Sequence, residues 1–418
     1  MVTRASRSAR SGTISVGAAL RRLEREVARV PVRTEWVPSA GALGRVPSGT
    51  IRARRTLPPH DQSVMDGYAV RSGTSPPLGA GKRLLFRVIG CSSPGSVARR
   101  LPRVDRTTAV EVLTGSPLPP GADAVVRSEQ CRRSREGMEA LAPLVRGRDI
   151  ARRGEDFRPG RRIAASGTSL RPWHIAALLA NEVLKVRVRC LPRVGVMSTG
   201  DELIAAGAPR RSGGVRDTTK PLVLALLAEL GVPTRDLGNA PDDEKAIRRK
   251  FRQATTTCDV VISIGGSGPG GSDRVREALR GIAGVRWLAT RLRLRPGGTS
   301  GVAIVRRRPL FVLPGPPVAA FAGFAAVVEP FLRGRGGVAR PTAPTVTARL
   351  DAGIPHVRGV RELVRVELRG RGRRLRALAL ERRGAARLSS LTRAAGLLML
   401  EERRRRYRRG ESVRVLCL

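Results

Sequence analysis

The sequence is poor in aromatic residues and in lysine, although it is strongly basic. Phe, Trp and Tyr make up only 3% of the 418 residues and are scattered, so the chain lacks the aromatic platforms on which single-strand nucleic-acid binders stack bases. Only five of the 79 basic residues are lysines, and the arginines run through the whole chain without forming one block. The net charge of +45 alone fits nucleic acid, an anionic membrane or a small anionic substrate. The two absences weaken the nucleic-acid interpretation, and we expect small anionic substrates and no specific nucleic-acid partner.

Cysteine, histidine and long apolar runs are also scarce. The five cysteines are widely separated without a CxxC spacing, which favours reduced thiols in the cytoplasm over a disulfide framework. The three histidines have no ligand spacing, so a zinc site is not expected. No window has the ~18–20 uninterrupted apolar residues of a membrane span, and the Arg/Ser-rich N-terminus is followed by no apolar signal core. We therefore predict a cytoplasmic location and no membrane association.

The length predicts two to four domains, and the pattern of apolar, glycine and proline residues changes along the chain. Residues 1–13 have the composition of a disordered basic tail, and apolar residues at helical spacing predict a first helix over 16–30. Short β-prone runs broken by Pro and Gly predict a β-rich module over 47–147. The mixed segment 148–185 includes a predicted helix over 172–183, whose proline suits the first turn.

The region 190–333 alternates short apolar runs with helical patterns. The apolar runs predict strands over 194–198, 260–264 and 309–313. The helical patterns cover 221–231, 242–251, 272–279 and 317–331. Alternation of this kind predicts a parallel sheet covered by helices on both faces. The last residues, 340–418, are again strand-like and predict a second small β module.

Each predicted strand of this α/β region ends in a small, polar or glycine-rich segment. These segments are STGDE (198–202), GGSGPGGSD (265–273) and LPGPP (313–317). Ligands bind outside the carboxyl ends of strands in open α/β sheets, so the three segments are expected to meet in one crevice. The glycines of the second segment leave backbone N–H groups uncovered near a helix start, which suits a phosphate or another oxyanion. The alternative is that these glycines only form tight turns.

Carboxylates are concentrated at the same strand ends and helix starts in a chain that has only 34 acidic residues. They are Asp201, Glu202, Asp217, Asp242, Asp243 and Asp273. One interpretation is helix capping, which applies best to Asp242 and Asp273. The other is that oxygen ligands hold a divalent cation that bridges to a phosphate, as Mg²⁺ usually does.

Seven stretches together resemble one known family. In chain order they are LPPHDQSVMDGYAV (57–70), LTGSPLPPGADAVV (113–126), ARRGEDFRPG (151–160), VGVMSTGDEL (194–203), GGSGPGGSD (265–273), RPGG (295–298) and LPGPPVAAF (313–321). The sequence is similar to the molybdopterin molybdenumtransferases of the MoeA and gephyrin E-domain type. The resemblance covers roughly residues 14–418 and includes RGVRELVRVEL (358–368) and LSSLTRAAGLLML (388–400).

The resemblance implies a multidomain fold with a central doubly wound parallel α/β domain, of the MoaB/Mog-like kind, over 189–335. It further implies a discontinuous linker domain over 14–46 and 148–188, an inserted β-rich domain over 47–147 and a C-terminal β barrel over 340–418. Family members form homodimers and convert adenylylated molybdopterin and molybdate into molybdenum cofactor and AMP with a divalent cation. A molybdopterin adenylyltransferase and molybdoenzymes are possible further partners.

The resemblance also assigns roles to individual residues. The implied catalytic residues are Asp61, Asp66, Asp156, Glu202, Asp242 and Asp273. The implied Mg²⁺ ligands are Asp201, Glu202, Asp242 and Asp273. The implied substrate-binding residues are Ser63, Thr114, Glu155, Ser198, Thr199, Gly200, Gly265, Gly266, Gly268, Gly270, Arg291, Arg295, Pro296, Gly297, Pro314, Gly315, Arg361, Arg365 and Ser390.

The family also places the loop over 57–70 against the α/β crevice of the partner subunit, so that the active site lies at the dimer interface. The alternative for Asp61 and Ser63 is turn formation through hydrogen bonds from side chain to backbone. Arg291 and Arg295 stand where the family usually has lysines, which preserves the charge and changes the geometry.

Several motif positions depart from the family pattern. Gly298 replaces a lysine expected near molybdate, Gly271 replaces an acid, Pro316 replaces a side-chain hydrogen-bonding residue and Gln62 replaces an asparagine. These changes leave two hypotheses open. The chain is either a transferase that inserts molybdate, or a paralogue of the same fold that binds or delivers pterin or cofactor without turnover.

Overall fold

The computed structural model describes residues 12–28, 30–73, 84–266, 274–334, 343–380 and 386–418. The chain forms two compact units. The first comprises Met1–Glu35, Gly44–Ser48 and Arg187–Leu418, and the second comprises Trp36–Leu43 and Gly49–Val186. The predicted tail lies outside the described residues except for its last two positions. One of these, Thr13, belongs to a short strand, Thr13–Ile14, that pairs with Arg291–Leu292, so the tail prediction was wrong at its end.

The first unit contains a six-stranded sheet that forms the centre of the α/β domain. Its strands are β1 (Val194–Thr199), β2 (Thr234–Ala240), β3 (Val260–Ile264), β4 (Val285–Ala289), β5 (Gly301–Val305) and β6 (Arg308–Leu313). The strand order is β2-β1-β3-β6-β5-β4, and the pairs among the first four strands are parallel. β5 and β4 are antiparallel to their neighbours. The predicted parallel sheet is therefore confirmed for β1, β3 and β6, and the unpredicted β2 adds a fourth parallel strand, whereas the other edge of the sheet is antiparallel.

The turn between β5 and β6 explains why the sequence did not reveal this edge. Two-residue hairpin turns usually contain Asn-Gly or Asp-Gly, whose backbones adopt positive φ at little cost. Here the two turn residues are Arg306 and Arg307, with φ angles of 49° and 65°. Neither residue is a turn signal, so the hairpin was not recognisable from sequence.

Helices cover both faces of the sheet, as predicted. The helices of the first unit are Val16–Ala28, Thr219–Glu229, Glu244–Thr257, Arg274–Arg280 and Pro317–Gly323, the last continuing through a π-helical turn, Phe324–Val328, into Glu329–Gly334. Val16, Leu23, Val223 and Leu227 pack on one face of the sheet together with Phe311. Helices Glu244–Thr257 and Arg274–Arg280 pack on the other face, around Met197 and Val312.

The helical segment Pro317–Gly334 is long and apolar enough, with a mean hydropathy of 1.2, to meet the length and composition criteria of a membrane span. However, 72% of this segment is buried inside the structure. Its apolar side chains, including Phe321, Phe324 and Phe331, belong to the core of the α/β domain. The segment therefore has the burial expected of the core helix of a globular domain.

The C-terminal region forms a closed barrel of five strands, which confirms the predicted β barrel. In order around the barrel, the strands are Arg361–Arg369, Arg376–Ala379, Thr345–Leu350, Ser412–Cys417 and Gly396–Leu400, and the last pairs again with the first. A helical turn, Ser389–Thr392, precedes the last of these strands in the chain. The strand Leu294–Arg295 of the α/β region pairs in parallel with Arg361 and Glu362, so the barrel is joined to the α/β domain by a backbone ladder.

The second unit contains another six-stranded sheet within the region predicted to be rich in β-structure. In sheet order, its strands are Ala124–Arg127, Gly67–Val70, Thr108–Val112, Leu84–Ser92, Gly137–Ala140 and Cys131–Ser134. The shorter pairs are Gln62–Ser63 with Ile150–Ala151 and Ile51–Arg52 with Arg162–Ala164. The predicted helix over 172–183 is observed as Pro172–Ala180, with its proline in the first turn.

Candidate active site

The carboxyl ends of the four parallel strands meet at one edge of the α/β sheet, where they line a cavity of about 960 Å³, here called the reaction cavity. Ten of the predicted site residues line this cavity. They are Thr199, Gly200, Glu202, Asp242, Gly265, Gly266, Arg291, Gly297, Pro314 and Gly315. The predicted convergence of the three segments is therefore observed. Gly268, Gly270 and Asp273 lie outside the described residues.

The glycines at this edge are required by the backbone. Gly200, Gly265 and Gly266 have φ angles of 147°, 89° and 61°. A Cβ atom on Gly265 would lie 2.7 Å from the backbone oxygen of Thr199, and one on Gly266 would lie 2.6 Å from a side-chain carbon of Val275. A side chain at either position would therefore clash and also strain the backbone. The absence of side chains leaves peptide groups at the wall of the cavity.

Three of the predicted metal ligands lie close together at this edge. The backbone N–H of Asp242 donates to the carboxylate of Asp201 at 3.2 Å, and the backbone N–H of Asp201 approaches the carboxylate of Asp242 at 3.4 Å. The carboxylate of Glu202 lies over Gly200, where an added Cβ atom would be 2.6 Å from one of its oxygens. Glu202 and Asp242 line the cavity.

The helix cap at this edge is one residue away from the predicted position. The carboxylate of Asp243, not that of Asp242, accepts the N-cap hydrogen bond from the backbone N–H of Ala246 at 2.8 Å. Because Asp243 caps the helix Glu244–Thr257, the neighbouring carboxylate of Asp242 is not used for capping. The capping interpretation was therefore wrong for Asp242.

A buried polar network supports the end of β1. The hydroxyl of Ser198 donates to the carboxylate of Asp217 at 2.7 Å, and the other oxygen of Asp217 accepts from the backbone N–H of Lys220 at 3.1 Å. The hydroxyl of Thr219 donates to the backbone oxygen of Gly315 at 2.6 Å. Ser198 is 0% exposed, so its hydroxyl holds the network in place and is not at the cavity surface.

The two arginines expected at the anion site have different positions. Arg291 lines the cavity, and the strand that contains it pairs with Thr13–Ile14. Arg295 is exposed and lies in the strand Leu294–Arg295, which belongs to the barrel sheet. The peptide bond between Arg295 and Pro296 is cis. The next residue, Gly297, lines the cavity and has a φ of 104°. Arg291 is therefore the arginine of this pair that faces the reaction cavity.

The three predicted anion-binding residues of the barrel are not among the residues that line the cavity. Arg361 forms an ion pair with Glu402 at 3.4 Å. Arg365 is 4% exposed, and burial lowers the pKa of its guanidinium from the ordinary value while Glu362 opposes this. The hydroxyl of Ser390 donates to the backbone oxygen of Arg387 at 2.7 Å. Among the described residues, Ala386 is the barrel residue that lines the cavity.

In the second unit, the loop over 57–70 is joined by hydrogen bonds to the motif over 151–160. The carboxylate of Asp61 accepts from the guanidinium of Arg152 at 2.7 Å and from the backbone N–H of Arg153 at 2.8 Å. Burial raises the pKa of Asp61, but the Arg153 N–H and the Arg152 guanidinium outweigh it, so the pKa lies below its ordinary value. The carboxylate is therefore charged at neutral pH and held in one position.

The same loop is joined to the motif over 113–126. The carboxylate of Asp66 accepts from the backbone N–H of Thr114 at 2.6 Å and from its hydroxyl at 2.8 Å, and these two bonds lower the pKa of Asp66. The hydroxyl of Ser63 donates to the backbone oxygen of Met65 at 2.5 Å and is buried. This is the turn-forming arrangement that the alternative interpretation of Ser63 describes.

The remaining predicted residues of this unit lie on the same motif. The carboxylate of Glu155 accepts from the backbone N–H of Arg152 at 2.8 Å. The backbone N–H of Asp156 donates to the backbone oxygen of Leu57 at 3.1 Å. Three motifs that are far apart in the sequence therefore form one assembly through acidic side chains and loop backbone.

Sequence reasoning missed several residues that line the reaction cavity. They include Thr13, Thr218, Thr219 and Thr299. Thr13 was not recognisable because it reaches the cavity through strand pairing with Arg291, which no local pattern indicates. Thr218 and Thr219 were recognisable in principle, because they lie just before the predicted helix over 221–231. Ser and Thr are common at the start of a helix, where they cap it.

Comparisons with protein families find matches along most of the chain. Three family models match the chain, described as MoeA N-terminal region (domain I and II) over residues 14–181, "Probable molybdopterin binding domain" over 195–334 and MoeA C-terminal region (domain IV) over 347–418. The second match contains all the strands of the α/β sheet except the first residue of β1.

Individual proteins are similar over most of the chain. A molybdopterin molybdenumtransferase of Haemophilus influenzae is 30% identical over 303 residues, which are 72% of this chain and 73% of that protein. A molybdopterin molybdenumtransferase of Staphylococcus aureus is 30% identical over 77% of this chain and 75% of that protein. The crystal structure of the molybdopterin biosynthesis moeA protein from Pyrococcus horikoshii is 28% identical, with a TM-score of 0.81, and the match covers 97% of this chain and 100% of that one.

Proposed function

The chain belongs to the molybdopterin molybdenumtransferase family and is a transferase of molybdenum cofactor biosynthesis, and from this premise we propose how its residues act. The proposed reaction inserts molybdate into adenylylated molybdopterin and releases AMP. The pyrophosphate link between the pterin phosphate and AMP is broken in the reaction cavity. The observation that carries this proposal is the convergence of glycines, carboxylates and Arg291 on one cavity of about 960 Å³.

The cavity has the size and the chemical groups that this substrate requires. Its volume of about 960 Å³ lies within the usual range of small-molecule sites, roughly 300–1,000 Å³. The bare backbone of Gly266 at the cavity wall would let phosphate oxygens approach closely, while the N–H of Gly265 already donates to the backbone oxygen of Leu313 at 3.0 Å. The helix Thr219–Glu229 begins at the cavity, and the positive end of its dipole favours an anion there. These groups would bind and orient the pyrophosphate link.

The anion site depends on Arg291. Its guanidinium lines the cavity, and a guanidinium can hold a tetrahedral oxyanion through two parallel hydrogen bonds. Gly298, where the family has a lysine, also lines the cavity, and its backbone oxygen accepts from the backbone N–H of Leu292 at 3.1 Å. We therefore propose that Arg291 provides the positive charge that this chain uses for molybdate.

The carboxylates of the cavity fit a divalent cation that is shared with the substrate. Among the described residues, no group of three or more His, Cys, Asp or Glu side chains is placed to hold a metal ion alone. Mg²⁺ usually takes only one or two carboxylates and completes its shell with water and substrate phosphates, so this donor set fits it. Glu202 and Asp242 would hold the cation, with Asp201 beside them. When bound, the cation would neutralise charge that develops on the phosphate oxygens.

We also propose a homodimer in which the loop over 57–70 completes the reaction cavity of the partner subunit. Within its own unit, this loop holds the charged carboxylates of Asp61 and Asp66 in fixed positions. The side chains of Val64 and Met65, between these residues, are 39% and 37% exposed, which suits a loop that meets another surface.

The described chain has five free cysteines, which supports a reducing, cytoplasmic location.

A complementation experiment tests the shared site. Asp61→Asn and Asp242→Asn subunits are each expected to be inactive as homodimers. After the two are mixed, unfolded and refolded together, a heterodimer has one site with neither substitution if the loop serves the partner. Recovery of activity to about one quarter of the wild-type value supports the proposal. No recovery, with dimers confirmed by sedimentation, contradicts it.

The activity itself is tested by AMP release from adenylylated molybdopterin in the presence of molybdate and Mg²⁺. We expect AMP release that depends on both ions and is lost with EDTA. Tight pterin binding without AMP release at saturating molybdate would instead identify a binding or delivery protein.

A further inference from the structure

A second pair of cavities lies at the opposite edge of the α/β sheet. The two cavities have volumes of about 370 Å³ and about 1010 Å³ and share Val32, Arg33, Cys190, Leu191, Asp259 and Arg308. Together they are called the amino-edge cavity. It lies where β1, β3 and β6 begin, and the reaction cavity lies where the same three strands end. The two sites are therefore at opposite ends of the same strands and share no lining residue.

The smaller compartment is lined mainly by apolar side chains. Val27, Leu191 and Phe331 contribute to its wall. Val27 and Phe331 are 4% and 8% exposed and belong to the domain core, so the compartment is a recess in a packed core. A recess of this size accommodates the body of a small aromatic or aliphatic molecule.

The larger compartment is strongly basic. Across the whole amino-edge cavity, seven arginines line the wall together with only two carboxylates. The carboxylate of Asp259 already accepts from the guanidinium of Arg33 and from the backbone N–H of Arg193, each at 3.0 Å. The second carboxylate, Glu35, accepts from Arg45 at 2.5 Å. Arg308 also pairs with Asp259 at 3.7 Å, and the five arginines of the larger compartment outnumber its two carboxylates, which leaves an excess of positive charge next to the apolar recess.

The turn at the rim of the apolar recess is formed by two residues of a type that rarely adopts its backbone conformation. Arg306 and Arg307 line the recess with φ angles of 49° and 65°, which side chains with a Cβ atom rarely adopt. An Asn-Gly pair would form the same two-residue turn without this strain. Non-glycine residues in such conformations are concentrated at functional sites. The turn therefore keeps two guanidinium groups at the rim in spite of the strain.

We propose that the amino-edge cavity is a second binding site, for a small molecule that joins an apolar body to an anionic group. The apolar body occupies the recess beside Leu191 and Phe331. The anionic group pairs with guanidinium groups of the basic compartment and of the Arg306–Arg307 turn. The site is independent of the reaction cavity and of the proposed reaction.

Two probes that differ only in charge test this proposal. The anionic probe is 8-anilinonaphthalene-1-sulfonate, and the neutral probe is N-phenyl-1-naphthylamine, which has the same aromatic body without the sulfonate. Fluorescence titration of the full-length chain should show binding of the anionic probe about tenfold tighter than that of the neutral probe. Equal affinities would overturn the proposal.

The turn offers a variant that removes charge without weakening the fold. R306N/R307G introduces the residues that this turn favours, so the variant is expected to fold at least as well as the wild type. It should bind the anionic probe about fivefold more weakly and leave the affinity of the neutral probe unchanged. The matched control is R99N/R100G, which changes two exposed arginines of the second unit in the same way. Unchanged affinity in R306N/R307G, or an equal loss in the control, would contradict the proposal.

The cysteines locate the binding site. Cys190 lines both compartments, and Cys91 is exposed in the second unit. The anionic probe should slow the reaction of Cys190 with N-ethylmaleimide severalfold, as measured by peptide mass spectrometry, and should leave Cys91 unaffected. Lack of protection at Cys190 would place the probe elsewhere and overturn the proposal. A change in sedimentation of R306N/R307G would instead identify this face as a contact between two copies of the chain.

Discussion

The acidic side chains of the reaction cavity and those of the loop over 57–70 are the same chemical groups in two different situations. In the loop, Asp61 and Asp66 accept hydrogen bonds from neighbouring backbone and side chains of their own unit, which lower the pKa of both carboxyls. In the cavity, Glu202 and Asp242 line open volume, and the helix cap beside them is provided by Asp243. The first pair is held in place by donors of its own unit, whereas the second pair borders the open volume of the cavity.

The type of residue at a motif position therefore does not by itself define the role of that residue. An aspartate that holds a turn and an aspartate that faces a ligand look the same in a sequence. The distinction depends on which donors the fold brings to each oxygen. The following changes test the role of individual charged groups in the two units.

The largest effect is expected for Asp242→Asn. This change removes the charge of a carboxylate that lines the reaction cavity and leaves the side-chain volume nearly unchanged. We expect the rate of AMP release to fall by roughly 10²–10³-fold, with the melting temperature close to that of the wild type. A loss of less than tenfold at saturating Mg²⁺ would show that this carboxylate does not contribute to the reaction.

A smaller effect is expected at the anion site. Arg291→Ala should raise the KM for molybdate by roughly 10–100-fold, because a charge-assisted hydrogen bond contributes about 1.5–3 kcal/mol. The matched change is Arg295→Ala, which removes an exposed arginine of the barrel sheet and should alter this KM by less than about twofold. The reverse order of effects in steady-state assays would show that Arg295 holds the anion.

Asp242 and Asp243 are adjacent in the chain, and we expect Asp243 to contribute to stability and Asp242 to contribute to the reaction. Asp243→Ala should lower the free energy of unfolding by about 1 kcal/mol, because the backbone N–H of Ala246 loses its acceptor. Asp243→Asn should restore most of this loss, since asparagine is also a good N-cap. Chemical denaturation measures both, and AMP release by either variant should remain near the wild-type rate. A lower rate of AMP release in Asp243→Asn would contradict the assignment of different roles to Asp242 and Asp243.

The smallest effect is expected in the pH dependence of stability in the second unit. The backbone N–H of Thr107 and the hydroxyls of Thr108 and Thr107 lower the pKa of Asp105 from 3.8 to about 2. Because the folded pKa lies below the unfolded one, this carboxylate stabilises the fold above pH about 4, and the contribution is lost as the pH falls to about 2. Asp105→Asn should flatten the acid limb of the melting-temperature profile over this range. An unchanged acid limb would show that these hydrogen bonds do not contribute.

Much of the architecture was predictable because it depends on local patterns. The strands over 194–198, 260–264 and 309–313 were located within one residue at each end, since buried parallel strands are continuous apolar runs. The antiparallel edge was not predictable, because an Arg-Arg pair replaces the usual turn signal. The helices over the sheet followed from periodicity, whereas the pattern of 340–418 predicted only a small β module and the family resemblance implied the barrel.

The site was predictable in its location and not in its detailed contacts. Convergence at the strand ends follows from the geometry of a parallel sheet, and ten predicted residues line the cavity. The partners of Asp61 and Asp66 are 48 or more residues away in the chain, and pairs at that separation leave no local pattern. The sequence likewise could not show that Arg291 lines the cavity whereas Arg295 is exposed, or that Asp243 caps a helix whereas Asp242 does not.

The short strand Leu294–Arg295 has a consequence for the exchange of domains between relatives. It contributes one edge to the barrel sheet, and it lies between Arg291 and the Gly297 turn, both of which line the reaction cavity. A chimera that replaced only residues 343–418 would keep the edge strand of one protein and supply the neighbouring strand of another. An active chimera of two family members is therefore expected to need residues 291–298 and the barrel from the same protein.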